Sequence, residues 1–126
     1  MYAIPSIQAF QPLDNGASGF ANSTTLAATT SAQSITLPGA TGSAAQAVPQ
    51  QPMIYNQIQI ANQTAGWAYV NIGPATLTTV TVAAGYPVAP GAVVVLTING
   101  LATTASCILA AGTTSGSVIF TRGVGL

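Results

Sequence analysis

From Ile54 onward the chain is written in short apolar runs of period two, and a Gly, Pro or Asn cluster closes each run. Ile54, Ile58 and Ile60 alternate with Gln57 and Gln59, which places the two sets on opposite faces of a half-buried strand. Asn62–Gly66 reads as a turn. Trp67–Gly73 reads as the next strand, with Trp67 and Tyr69 on one face and Val70 and Ile72 on the other. Val93–Ile98 is an almost continuous apolar run ending in Asn99-Gly100, a strong turn signal. Ala105–Ala110 precedes the polar turn Gly112–Gly116, and Ser117–Arg122 sets Val118 and Phe120 on one face. Thr-rich Leu77–Ala83 is expected as a further strand. Gly85–Gly91 is expected as a rigid extended loop, because Pro87 and Pro90 fix φ and remove ladder donors. Upstream, Leu26, Ala28, Ile35 and Leu37 among Ser and Thr suggest one or two strands, closed by Pro38-Gly39. No candidate helix competes: the alanines of Ala102–Ala111 are interrupted by Thr103, Thr104, Ser106 and Cys107. Strands recurring every ~8–12 residues with turn signals between them predict an all-β sandwich or barrel.

Charge narrows the function. Only Asp14 and Arg122 are charged among 126 residues, and Lys, Glu and His are absent. A chain with one carboxylate and no imidazole lacks the groups for an acid–base pair, a triad or a carboxylate dyad, so no enzyme is expected. It also lacks zinc and calcium ligand sets, and one Arg cannot neutralise a phosphate backbone. No cofactor, metal, nucleic-acid or membrane partner is therefore expected. The most apolar stretch, Val82–Leu96, contains Gly85, Pro87, Pro90 and Gly91 and is shorter than the ~20 residues of a spanning helix. No basic region followed by an apolar stretch marks a secretory signal at the N-terminus.

Hydrophobic residues make up 49% of the chain, enough for a core at this length. The polar remainder is uncharged, rich in Thr (17), Ser (9) and Gln (9). Without charge repulsion between folded copies, an assembly is easier to account for than a free monomer. Cys107, the one cysteine, lies in the apolar run 105–111 and is expected to be buried and inert.

Three regions are predicted: an extended N-terminal arm over 1–23, a β-domain over 24–126, and within it a low-complexity connector over 38–52 (PGATGSAAQAVPQQP). The arm mixes Tyr2, Ile4, Ile7, Phe10, Leu13 and Phe20 with Pro5, Pro12, Gly16 and Gly19, and no period persists in it. Such residues cannot all be buried locally. A neighbouring subunit or the chain's own domain would cover them, which makes Tyr2, Ile4, Ile7, Phe10 and Leu13 the candidate interface.

The other candidates are weighed against ordinary structural roles. Trp67 and Tyr69, with Tyr55 and Tyr86, would suit a stacking platform for sugar or single-stranded nucleic acid, but core or interface packing uses the same residues. Gly112–Gly116 lacks the Lys of a phosphate loop and the Ser spacing of a nucleophile elbow, which leaves a hairpin turn. Asn22-Ser23-Thr24 and Asn62-Gln63-Thr64 match a glycosylation sequon that a Thr-rich chain produces by chance. Thr79-Val80-Thr81 does not repeat in register, as an ice-binding ladder would require. Asp14 and Arg122 would be worth ~1 kcal/mol or less as a surface pair.

Over residues 54–126, the succession WAYVNIG, GYPVAPGAVVVL and ASCILAAGTTSGSVIFTRGVGL resembles small virion proteins of tailed bacteriophages, of the capsid cement or decoration type. The resemblance implies a single jelly-roll-like antiparallel β-sandwich carrying the N-terminal arm. It also implies a place on the capsid surface of a virion, assembly as a symmetric homo-oligomer (trimer or dimer), and contact with a major capsid protein. A carbohydrate-binding or adhesin module of a fibre or spike is the alternative, and an ice-binding surface protein is a more distant one.

Overall fold

A computed structural model describes residues 10–12, 22–38, 56–75, 80–99 and 102–124. They form nine strands and no helix: β1 (Gln11–Pro12), β2 (Ser23–Ala28), β3 (Gln33–Thr36), β4 (Gln57–Asn62), β5 (Ala68–Gly73), β6 (Tyr86–Val88), β7 (Val93–Thr97), β8 (Thr104–Leu109) and β9 (Gly116–Val124). All pairings are antiparallel. One sheet runs β2-β9-β4-β7, with β1 continuing beyond β2 along the same flank of β9; the other runs β3-β8-β5-β6.

The pairs β2·β9, β3·β8, β4·β7 and β5·β6 nest about the β5–β6 connection, as in one long hairpin rolled up so that alternate pairs fall in opposite sheets. That is the double-sheet jelly roll. Rolling the ribbon buries one face of each sheet against the other. Leu26, Ile58, Ile60, Val118 and Phe120 meet Ala68, Val70, Val88, Ala105, Cys107 and Leu109 in a continuous core. The alternation expected for β4, β5 and β9 is present, and Phe120, opposite both Thr24 and Ile60, sits at its centre with no exposed surface.

Several local expectations change. Residues 80–83 of the expected strand Leu77–Ala83 form no strand: they run into a turn over 82–84, closed by Ala84 and Gly85 amides on the Thr81 carbonyl at 3.2 and 2.9 Å, and 77–79 lie outside the described residues. The expected loop Gly85–Gly91 contains β6, an edge strand that accommodates Pro87 because an edge leaves backbone donors unused. Gly91 then turns the chain into β7 at φ 75°, the left-handed region that glycine adopts without a Cβ clash. Within the expected arm, residues 11–12 pair with Val124 and Gly123 of the same chain, and β2 begins at Ser23. The connector beyond Pro38, as far as 55, is outside the described residues.

Arg122 departs furthest from expectation. It follows Val118 and Phe120 in the inward parity of β9, opposite Ile58, and is 2% exposed. The chain's one cationic side chain is a core residue and not a surface one, and Asp14 lies outside the described residues.

Candidate interaction surface

The short connections β2–β3, β4–β5, β6–β7 and β8–β9 gather at one end of the sandwich. Asn62 joins two of them. Its Nδ2 donates to the carbonyls of Gly66 (2.9 Å), Val88 (3.0 Å) and Ala89 (3.2 Å), and its Oδ1 accepts from the amide (2.9 Å) and hydroxyl (2.7 Å) of Thr64. Every capacity of the amide is used in a site closed to water. A glycan on Asn62 is incompatible with that burial, in line with the discounted sequon. The β8–β9 turn packs onto the same knot: a Cβ on Gly116 would lie 3.0 Å from Thr64 Cγ2.

At the opposite end, Arg122 Nη1 donates a 2.7 Å hydrogen bond to the Ala102 carbonyl between β7 and β8. Burial lowers the guanidinium pKa from its ordinary value, although an Arg stays protonated. Beside it, Ile72, Gly73, Pro74, Thr97, Ile98, Asn99 and Ala102 line an open cleft of about 340 Å³. One hydroxyl and one amide among apolar walls offer neither a nucleophile–base pair nor a metal-ligand set. Among the described residues, no His, Cys, Asp and Glu group of three could hold a metal, and no helix is long and apolar enough to cross a membrane.

Cys107 faces the core with no exposed surface. Burial pushes its thiol up to about 11, and a backbone hydrogen bond from Tyr69 only partly offsets this. The thiol is buried, as expected from its apolar run, and a buried, protonated thiol is a poor nucleophile.

The candidate aromatics separate. Trp67, just before β5, stands 47% exposed among the short turns, and its carbonyl accepts from the Ala110 amide at 2.9 Å. Tyr69 is half-buried on the outer face of β5, opposite Ile108 and Pro87. The 80–85 turn lies against it: a Cβ on Gly85 would stand 2.8 Å from Tyr69 Cβ and 2.7 Å from Val80 Cγ2. Val80 in turn covers Ser106, its amide 3.5 Å from Ser106 Oγ. Tyr86 is exposed on β6, and Tyr55 is outside the described residues. Of the candidate arm residues, Phe10 is half-buried before β1, while Tyr2, Ile4, Ile7 and Leu13 are outside the described residues, as is Asp14.

The sequence reading missed the exposed apolar surface. Val93 (59% exposed) and Val95 (41%) stand on β7 at the margin of one sheet, and Tyr86 and Val82 lie on and beside β6 at the margin of the other. Among the described residues, the outer face inward from β7 is uncharged. Val95, Gln59, Thr121 and Ser23 form one row across four strands, and Val93, Ala61, Ile119 and Thr25 form the next. A continuous apolar run such as Val93–Ile98 reads as buried on both faces. Only its place at the end of the strand order exposes it.

Comparison with known protein families, with characterised proteins and with solved structures finds no match to this chain.

Proposed function

We propose that the chain is a structural virion protein that decorates or cements a phage capsid on its outer surface. The observation that carries this reading is the jelly roll whose outer faces and edges bear apolar and neutral polar side chains and, among the described residues, no charge. Jelly rolls build shells by packing side by side. The strand and turn succession of 54–126 resembles virion proteins of this type. Neutral contacts change little with salt or pH, because neither screening nor protonation acts on them. No step of chemistry is required: the protein is not an enzyme and uses no cofactor, and its partners are further copies of itself and the major capsid protein.

Electron microscopy of purified virions tests the reading and should show copies at symmetric positions on the shell; particles lacking the chain would end it. Removing residues 1–9 leaves every described strand in place and should weaken incorporation into particles without unfolding the domain.

Exposed Trp67 supports a second reading, a carbohydrate-binding module of a fibre or spike. Glycan binding abolished by Trp67→Ala, in a chain absent from the capsid shell, would select it.

A further inference from the structure

We infer that two copies of this chain join edge to edge through β7, in antiparallel register about Val95, so that two sheets become one.

The backbone sets the register. The Ile98 amide donates to Asn56 of the β4 flank at 2.7 Å, and the Asn62 amide donates to Ala92 at 2.9 Å. In an antiparallel ladder, bonding direction alternates by residue. Ala92, Val94, Leu96 and Ile98 therefore bond towards β4, while Val93, Val95 and Thr97 direct their N–H and C=O groups to the outer edge. Among the described residues, no strand pairs with that edge.

Native edges carry devices against such pairing: proline, charge, bulges or very short strands. Pro87 interrupts β6, and β3 is a four-residue strand lined by Gln33, Ser34 and Thr36. On the β1/β2 flank, Pro12 ends β1, and β2 exposes Ser23, Thr25 and Ala27. β7 has none of these devices. Its sequence, VVVLT, is β-branched at every position but Leu96 and uncharged, and its outward side chains include exposed Val93 and Val95.

The occupant that fits is β7 of a second copy. A two-fold axis through Val95 sets Val95 against Val95 and Val93 against Thr97, and the outward donors of each strand meet the outward acceptors of the other. Around such an axis any charged residue would face a like charge nearby, a destabilising arrangement. The segment from 80 to 99 carries no charge, so the pairing meets no repulsion. β-branched pairs facing each other on one sheet surface are favourable.

The test is native mass by sedimentation or light scattering of the full chain, from micromolar concentrations upward. The expected mass is twice the 12.5 kDa of one chain. Val95→Pro deletes an N–H that the monomer's own ladder does not use, and Val93→Lys brings like charges into the paired strands. Each should halve the mass while leaving the β-sheet circular dichroism unchanged. Val82→Lys, which removes an exposed valine away from the edge, should leave the dimer intact. A wild-type chain at 12.5 kDa throughout, or dimers unaffected by both β7 variants, would overturn the inference. It does not depend on the virion reading: a chain absent from virions that still dimerises through β7 keeps it.

Discussion

Arg122 and Ala102 face each other across one end of the sandwich, the Arg122 Nη1 donating a 2.7 Å hydrogen bond to the Ala102 carbonyl. The contact joins the last strand to the loop between β7 and β8 and places a cation where the sheets close on each other. Arg122→Ala should cost about 3–5 kcal/mol, through a cavity and an unpaired carbonyl together. Arg122→Met keeps most of the apolar stem and should cost less, about 1–3 kcal/mol, because the Ala102 carbonyl loses its charged donor while the packing is largely kept. Urea denaturation separates the two, and equal losses would remove packing from the account.

Asn62 should prove as critical at the other end. Asn62→Ala takes one donor from each of the Gly66, Val88 and Ala89 carbonyls and the acceptor from the Thr64 amide, a loss of about 3 kcal/mol in a buried site. Gly66 keeps the Thr64 hydroxyl and Ala89 keeps the Ala92 amide. Asn62→Asp keeps the shape but turns a carboxylate towards the Gly66, Val88 and Ala89 carbonyls. The folded state then favours the protonated acid, so stability is retained at acid pH and lost as pH rises. Melting of this variant at pH 4 and pH 7 should show the higher midpoint at pH 4.

For Cys107, the sign follows from a folded thiol held at about 11 against 9.0 when unfolded. The protonated thiol is favoured by folding, so its contribution is fully present below pH 9 and is lost as pH rises towards 11. The loss amounts to about 3 kcal/mol at 1.36 kcal/mol per pH unit. Cys107→Ala should flatten the alkaline limb of the stability profile. Thiol reagents should label the native chain slowly and the urea-unfolded chain quickly.

Gly85→Ala places a methyl group 2.7 Å from Val80 Cγ2 and 2.8 Å from Tyr69 Cβ. The 80–85 turn must lift or the sheet must shift, at a cost of about 1–3 kcal/mol. Hydrogen exchange should show the Val80 amide losing protection while β4 and β9 keep theirs; uniform protection loss would place Gly85 in the global core.

Between pH 5 and 8 the wild-type midpoint should barely move. Asp14 is the single side-chain carboxylate and His is absent, so no other side chain has an ordinary pKa near that window. A midpoint that varies steeply there would show that assembly or the chain termini control stability.

Much of the fold was legible because alternation is local. Ile58 and Ile60, Val70 and Ile72, Val118 and Phe120 declare their strands and faces without reference to the rest of the chain. The same parity reaches Arg122, but its charge argued for the surface, and its hydrogen bond to the Ala102 carbonyl comes from a loop distant in the chain. The Thr-rich segment before Gly85 misled because β-propensity measures fit to a pleated surface, and its residues 82–84 instead form a turn over one. Pro87 misled in the opposite sense: it excludes a central strand and allows an edge strand. The aromatic pair was visible by spacing, but the turn that half-covers Tyr69 and leaves Trp67 open comes from a different part of the chain.

The amino-acid sequence by itself determined that this protein is all-β, where most of its strands and turns fall, and that its surface carries almost no charge. Each follows from neighbours within a few residues or from composition. Tertiary structure alone decided the nesting of β2·β9 around β5·β6, the burial of Arg122, the sealing of Asn62 and the exposure of β7. Those outcomes depend on which distant strands share hydrogen bonds. A run such as VVVLT carries the same residues whether it lies at the centre of a sheet or at its edge.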